Sequence, residues 1–343
     1  MKTQKLTILI LSIFLLATGC SNNQSKKDPL KASYNGMGTI ADFIVFGEEN
    51  LATEGIEKAK GIMIDIENKM SLNIEESEIN RINLNAGIKR VFVSQDTFDV
   101  VSRGLYFSEL TKGKFDISIG PISKLWNIGT DDERVPSNEE INEKLSLVDY
   151  NNILLNPEEN TVYLEKAGME LDLGAIAKGF AADKIISTFK EMGIENALVN
   201  IGGNIKVLGK NPQRNRPWRV GLRHPRDARG RHFSTARLFD QQTVVTSGDY
   251  ERFFMEKGLR YHHIFDGNNG KPSISDIIGV SIITENSMDA DGLSTSVFLL
   301  GSQKGLKFIE EMENVEAIIV TKDLKVINTK GAEKFLEEII NQL

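Results

Sequence analysis

The amino-acid sequence predicts an α+β fold in which mixed β-sheets are flanked by helices. Segments rich in β-branched and aromatic residues crowd residues 199–284, where a doubly wound sheet would instead alternate strands with helices. Apolar residues recur at every third or fourth position over residues 51–70 and 96–111, which is the spacing of amphipathic helices. The 343 residues suffice for one large domain or two modest ones.

The predicted strands are β-branched or aromatic segments bounded by turn residues. A Gly-Pro step at Gly120-Pro121 ends an alternating segment that begins at Phe115, and it marks a strand that turns into a loop or helix. A short strand ends at Asp172, before Gly174. The other strands are predicted over residues 37–47, 150–155, 161–164, 197–208 with a break at the paired glycines, 218–222, 233–239, 244–254, 277–284, 315–321 and 325–328.

The predicted helices show apolar residues at helical spacing. The helix after Gly174 is rich in alanine, so another part of the chain or a ligand has room to lie against it. Besides the two long helices, we expect helices over residues 175–186, 287–298, 304–312 and 331–340.

The start of the chain is typical of an export signal. Lys2 and Lys5 precede an apolar run over residues 6–17 that is too short for a membrane span but suits a signal peptide. Small residues then lead to Cys20, the only cysteine of the chain, in a pattern that resembles a bacterial lipobox. We therefore expect a lipoprotein signal peptide over residues 1–19, a lipid-anchored flexible tether over 20–33 and a catalytic domain over 34–343. A cleaved signal with an incidental cysteine is the alternative.

That arrangement places the domain on the extracytoplasmic side of a bacterial membrane. A single thiol cannot form an internal disulfide, which agrees with its use for attachment of a lipid such as palmitate. The net charge of −7 argues against a nucleic-acid partner.

The segment over residues 287–298 carries the most concentrated polar chemistry. Asp291 and Thr295 are four residues apart, so in a helix both oxygens project from one face. Hard oxygen ligands of this kind suit a Mg²⁺ that keeps positions open for a phosphate. Taken alone, the segment is more typical of a helix N-terminus, with Asp289 and Ser294 in capping roles.

Two adjacent histidines occur in a predicted strand. Alternation along a strand sends His262 and His263 to opposite faces, so one of them at most reaches a given pocket.

Seven motifs in this order resemble the ApbE family of FAD:protein FMN transferases. They are MGT, FDISIGPISKLWNIG, LDLGAIAKGFAAD, NIGGNI, TSGDYERFF, HHIFDG with a following GKP, and DADGLST, and they span residues 37–301. The resemblance implies a Mg²⁺-dependent enzyme that binds FAD as its substrate in a cleft between two lobes. It would transfer FMN to a threonine of target flavoproteins, with subunits of membrane redox complexes as expected acceptors, and release AMP.

The resemblance also implies roles for individual residues. Asp291 and Thr295 match side-chain metal ligands, and Ala175 matches a ligand that uses its main-chain oxygen. His263 would act as a base towards the incoming hydroxyl or orient the nucleotide. Catalytic roles therefore fall to His263 and Asp291. The positions matching FAD contacts are Met37, Asn73, Phe115, Asp116, Asp172, Lys178, Ser247, Gly248 and His263.

One position departs from the family pattern. Asn73 stands where many members carry a tyrosine that packs on FAD, and loss of that contact would weaken FAD binding by about 1 kcal/mol. Two further functions therefore stay open. One is an FAD pyrophosphatase that releases FMN and AMP, and the other is a non-enzymatic flavin-binding lipoprotein.

Overall fold

The structure is a computed structural model that describes residues 28–227, 229–338 and 341–343. The predicted signal peptide and Cys20 lie outside the described residues. Within the described part of the chain, no helix is both long and apolar enough to span a bilayer.

The α+β class is confirmed by the strands and helices that the structure contains. The strands are, in sequence order, β1 (Leu30–Gly36), β2 (Thr39–Phe46), β3 (Val91–Phe92), β4 (Ile153–Asn156), β5 (Thr161–Leu164), β6 (Asn196–Ile201), β7 (Asn204–Leu208), β8 (Trp218–Arg223), β9 (His232–Leu238), β10 (Thr243–Gly248), β11 (Phe253–Glu256), β12 (Leu259–His262), β13 (Phe265–Asp266), β14 (Lys271–Pro272), β15 (Ile277–Thr284), β16 (Glu316–Thr321) and β17 (Val326–Asn328). The α-helices are α1 (Glu49–Met70), α2 (Glu78–Leu84), α3 (Gln95–Leu110), α4 (Gly120–Trp126), α5 (Asn138–Leu145), α6 (Ala177–Glu191), α7 (Ser287–Leu300) and α8 (Ser302–Glu310).

An eight-stranded sheet in the order β1-β2-β6-β7-β10-β15-β16-β17 forms the centre of the fold, and its neighbouring strands pair antiparallel. Helices α1, α6 and α7 pack on one face over the larger hydrophobic cluster, and the β8–β9 hairpin covers part of the other face. Strand β15, buried at every residue, has the continuous apolar sequence expected of a strand covered on both faces.

The N-terminal boundary of the domain differs from the prediction. Strand β1 begins at Leu30, so residues 30–33 belong to the sheet and not to the tether. Their register is held by the pairing of Ser33 with Asp42, whose side chains form a hydrogen bond of 2.6 Å. The strand predicted from residue 37 begins only at Thr39, because Met37 and Gly38 form the β1–β2 turn with positive φ angles of 54° and 66°.

Two other predicted elements were wrong in type. The C-terminal segment forms a 3₁₀ helix over Lys330–Lys334 in place of an α-helix, because its backbone then pairs with β9. Leu336 bridges Ala236, and Arg237 N–H donates to the Phe335 carbonyl. The segment before Gly120 forms no extended ladder but a single parallel bridge between Ile119 and Glu170.

Candidate active site

A cavity of about 420 Å³ opens where the β1–β2 turn, the start of α6, the end of β10 and the face of α7 converge. Eleven predicted site residues line it, although they come from distant parts of the chain. They are Met37, Phe115, Asp116, Asp172, Ala175, Lys178, Ser247, Gly248, His263, Asp291 and Thr295. Asn73 is the exception. It is exposed in the turn after α1, and it is absent from the cavity lining.

The close crossing of α6 and α7 brings Asp291 to the start of α6. Gly179 makes this crossing possible, since a Cβ at that position would lie 2.1 Å from the Ser287 carbonyl oxygen. Gly179 N–H then donates to Asp291 Oδ2 at 3.0 Å. On the other side of α7, Gly292 gives the same freedom of approach to Phe107. The buried carboxylate is therefore fixed by backbone contacts that only glycine permits.

The same contact leaves a carbonyl group without its helical partner. A regular helix would use Gly179 N–H to bond the carbonyl of the residue four positions earlier, which is Ala175. Because Gly179 N–H is directed to Asp291, the Ala175 carbonyl oxygen stays available at the cavity wall. The Gly174 carbonyl, in contrast, accepts from Lys178 Nζ at 2.8 Å. The carbonyl that was predicted to be a main-chain ligand therefore lacks the hydrogen bond that a regular helix would give it.

Asn204 adds an oxygen that sequence reasoning missed. Its Nδ2 donates to the Ile201 carbonyl at 3.3 Å. Because a carbonyl only accepts, this bond fixes the orientation of the amide, and the side chain acts to lower the pKa of Asp291. Oδ1 has no hydrogen-bond partner among the described residues, although Asn204 is only 2% exposed and lines the cavity. A buried oxygen of this kind needs a partner that the protein does not supply, such as a water molecule or an ion.

These groups fit a hard divalent cation. The Asp291 carboxylate, the Thr295 hydroxyl, the Ala175 carbonyl and the Asn204 amide are all oxygen donors, which Mg²⁺ prefers. Within the described residues no cluster of three or more His, Cys, Asp or Glu side chains is placed to bind a metal. A cation here would therefore be held by one carboxylate and neutral oxygens, and a substrate phosphate would have to supply further negative charge.

The charge of Asp291 is only partly compensated by the protein. Burial raises the pKa of Asp291, while Lys178, the Gly179 N–H and Asn204 act in the opposite direction. The Lys178 ammonium lies 3.7 Å from Asp291 Oδ2, beyond direct hydrogen-bond distance. The carboxylate thus keeps capacity for a further positive partner.

Asp116 shapes the wall opposite α7. Its Oδ1 accepts from the backbone N–H and the hydroxyl of Ser118 at 2.8 and 2.7 Å, and its Oδ2 accepts from Tyr150 N–H at 3.0 Å. Burial raises the pKa of Asp116 to about 6, and these hydrogen bonds oppose that shift. Asp116 therefore holds the loop after Phe115 in shape with groups that are already satisfied.

The two histidines face different surroundings, as expected from the sequence, although His263 lies just after the end of β12. His262 is buried, with Nε2 at 3.0 Å from the Ser273 carbonyl and its ring edge-on to Phe298. His263 lines the cavity, and its Nδ1 lies 3.1 Å from the Arg252 carbonyl oxygen. Burial and the Arg252 charge lower the pKa of His263 to about 3, so its ring is neutral at pH 7. A carbonyl can only accept, hence Nδ1 carries the proton and Nε2 keeps a lone pair.

Sequence reasoning also missed Glu251 and Arg252, which line the cavity next to His263. Their position within the TSGDYERFF motif was the available signal, because β10 ends at the cavity. Trp126 is buried and donates its indole N–H to the Gly270 carbonyl at 2.9 Å.

Comparison with known proteins shows the family to which the chain belongs. The family model described as the ApbE family matches residues 37–319, a span that contains every cavity-lining residue named above. The chain belongs to the ApbE family. The family predicted from the seven motifs is thereby confirmed.

Relatives in other organisms extend the match along most of the chain. An FAD:protein FMN transferase of Treponema pallidum is 33% identical over 336 residues, which cover 94% of this chain and 92% of that protein. One from Klebsiella pneumoniae is 37% identical over 261 residues, covering 76% of this chain and 80% of that protein.

Solved structures of ApbE proteins have the same fold over most of this chain. The crystal structure of the ApbE protein from Thermotoga maritima matches with a TM-score of 0.83 at 30% identity, over 91% of this chain and all of that one. The flavin transferase ApbE from Vibrio cholerae matches with a TM-score of 0.81 at 26% identity, over 90% of this chain and 99% of that one.

Proposed function

We propose that this protein is an FAD:protein FMN transferase that requires Mg²⁺, joins FMN to a threonine hydroxyl of an acceptor protein and releases AMP. The observation that carries the proposal is the convergence of four oxygen donors, the Lys178 ammonium and the neutral His263 ring on one cavity. Transfer of a phosphoryl-type group needs charge neutralisation and in-line positioning more than covalent assistance. The family to which the relatives belong supports the same reaction.

Asp291, Thr295, Ala175 and Asn204 would hold the cation in this scheme. When bound, Mg²⁺ supplies charge neutralisation at the pyrophosphate oxygens. Lys178, which lines the cavity beside Asp291, would contribute a further positive charge to the phosphates. The remaining wall, including Met37 and Phe115, would bind the flavin and the adenine.

His263 is suited to remove the proton from the attacking threonine hydroxyl. Its neutral ring keeps a lone pair on Nε2 because Nδ1 donates to the Arg252 carbonyl. The lowered pKa keeps this nitrogen unprotonated at neutral pH, although it also makes the ring a weaker base. Binding of the nucleotide by the same nitrogen would account for the geometry equally well, and the two roles differ in their effect on kcat and on KM.

The cellular setting is part of the proposal. Cys20 would carry the lipid that anchors the mature protein to a membrane, and the acceptors would be flavoproteins of the cell envelope, including subunits of membrane redox complexes. Mass spectrometry of the N-terminal peptide for an acylated Cys20 tests this point, and an unmodified cysteine in membrane-extracted protein would contradict it.

Incubation with FAD, Mg²⁺ and an acceptor tests the reaction itself. The expected result is an acceptor whose mass rises by one FMN unit, with one AMP released per modified protein. Free FMN and AMP without acceptor modification would instead identify an FAD pyrophosphatase. Flavin binding with no AMP under either condition would identify a flavin-binding protein.

A further inference from the structure

Three hydroxyl groups, two of which line the cavity, form a continuous hydrogen-bonded chain between β10 and α7. Ser294 Oγ donates to the Asp291 carbonyl oxygen at 2.9 Å. Ser247 Oγ lies 2.7 Å from Ser294 Oγ and 3.3 Å from Thr295 Oγ1. The chain therefore begins at a cavity-lining threonine and ends inside the helix.

The direction of every proton in this chain follows from its last member. A backbone carbonyl only accepts, so the single hydroxyl proton of Ser294 is committed to Asp291. Ser247 must then donate to Ser294, which commits the proton of Ser247 as well. In the remaining contact Thr295 is the donor and Ser247 is the acceptor.

These proton directions determine which groups Thr295 presents to the cavity. With its proton directed to Ser247, Thr295 Oγ1 offers the cavity lone pairs and no donor. A lone pair suits a cation, whereas a phosphate oxygen would need a donor. The chain therefore makes Thr295 a cation ligand in advance of binding.

We propose that Ser294 is a positioning residue for the cation site, acting through Ser247 on the Thr295 hydroxyl. The inference rests on the Mg²⁺ site of the proposed function. Ser294 is fully buried and is not part of the cavity lining, so it touches neither substrate nor cation. Residues that orient metal ligands in this way commonly account for tenfold or larger changes in metal affinity.

The helix itself supplies a matched control. Ser296 is also fully buried on α7 and donates to a helix carbonyl, that of Gly292, at 2.8 Å. Ser294→Ala and Ser296→Ala thus remove the same atom from the same helix, and each leaves one helix carbonyl without its hydroxyl donor. Only Ser294→Ala breaks the chain to Thr295.

Titration of Mn²⁺ into the folded protein without FAD, followed by electron paramagnetic resonance, tests the inference. Ser294→Ala is expected to weaken Mn²⁺ binding by about tenfold, and Ser296→Ala is expected to bind as the wild type does, with similar Tm values for both variants. Equal Mn²⁺ affinities for wild type and Ser294→Ala would overturn the inference alone. A wild-type protein that binds no Mn²⁺ would overturn the proposed metal site together with it.

A second variant covers the case in which Ser294→Ala does not fold. Ser247→Ala removes the middle of the chain from the half-buried cavity wall, and it is expected to weaken Mn²⁺ binding to a similar degree. Unchanged affinity in a folded Ser247→Ala protein would contradict the proposal.

Discussion

Asp289 and Asp291 lie two residues apart on α7, yet their surroundings differ in every respect that matters for function. Asp289 is partly exposed and forms a bidentate pair with Arg103, at 2.6 and 2.8 Å. Asp291 is 4% exposed, faces the cavity, and has one backbone N–H and a lysine at 3.7 Å. The first carboxylate is satisfied within the protein, and the second has capacity for a ligand.

The difference shows how to separate structural from functional carboxylates. Arg103 also lies over the Tyr106 ring, 4.2 Å from its centroid, so Asp289 fastens α7 to a stacked group on α3. Because both oxygens of Asp289 accept charge-assisted hydrogen bonds from Arg103, this carboxylate has little capacity for another cation. Asp291 keeps that capacity because a glycine contact and a distant ammonium compensate it only in part.

The largest expected effect is that of Asp291→Asn. The asparagine amide carries no charge to neutralise a cation. It would also place either a donor or a weaker acceptor against Gly179 N–H. The rate of FMN transfer is therefore expected to fall by about 10²- to 10³-fold. The rate of mass increase of the acceptor measures it. Asp289→Asn is the control and is expected to keep most of the wild-type rate. Equal losses of transfer rate in both variants would contradict the distinction between the two carboxylates.

Asp116 is a third carboxylate for comparison, and it is buried but hydrogen-bonded through both oxygens. We expect it to make the free energy of unfolding depend on pH. Burial raises its pKa to about 6, so the folded state binds a proton that the unfolded chain releases near pH 4. Its stabilising contribution is therefore complete at low pH and is lost as the pH rises through about 6.

This sign can be measured by urea unfolding of wild type and Asp116→Asn at pH 4 and pH 7. The free energy of unfolding of wild type relative to the variant is expected to fall by roughly 2 kcal/mol over that range. A difference that stays constant with pH, or that grows, would show that Asp116 is not a raised-pKa group.

Asp289→Asn should affect stability more than chemistry. Loss of the partly exposed pair with Arg103 is expected to cost about 1 kcal/mol, and thermal unfolding reports it as a drop in Tm of about 1–2 °C. Arg103→Ala removes the stacking as well and should cost more. A variant with unchanged Tm would mean that the pair does not fasten α7.

The smallest effect is expected at Asn73. The residue is exposed and outside the cavity lining, so Asn73→Tyr should tighten FAD binding by at most the value of one aromatic contact, about 1 kcal/mol. Fluorescence titration of FAD measures it. A much larger gain in FAD affinity would mean that this turn closes over the flavin. Asn73→Gln controls for a change of side-chain length.

The sequence predicted most strands and helices, because period and turn residues are local properties. It also predicted eleven cavity-lining residues through motif order. It could not predict that Asp289 pairs with Arg103, since the partner is 186 residues away in the chain. Nor could it predict that Asn204 Oδ1 has no hydrogen-bond partner among the described residues, because that depends on groups brought together by folding. The same holds for Gly179 N–H, which donates to Asp291 and not to the Ala175 carbonyl, because this depends on how closely α7 approaches α6.

The C-terminal segment shows the opposite case. Apolar spacing over residues 331–340 favoured a helix, but in the described part of this segment Phe335 and Leu336 pair through their backbone with β9. Pairing between distant segments thus overrode a local preference, as it also did where β1 extends the sheet into the expected tether.

Calorimetric titration of Mg²⁺ into wild type, Asp289→Asn and Asp291→Asn tests the central distinction most directly. The account predicts that Asp289→Asn binds Mg²⁺ as the wild type does and that Asp291→Asn shows no binding heat at the same concentrations. Equal Mg²⁺ affinity in Asp291→Asn and wild type, or loss of binding in Asp289→Asn alone, would contradict it.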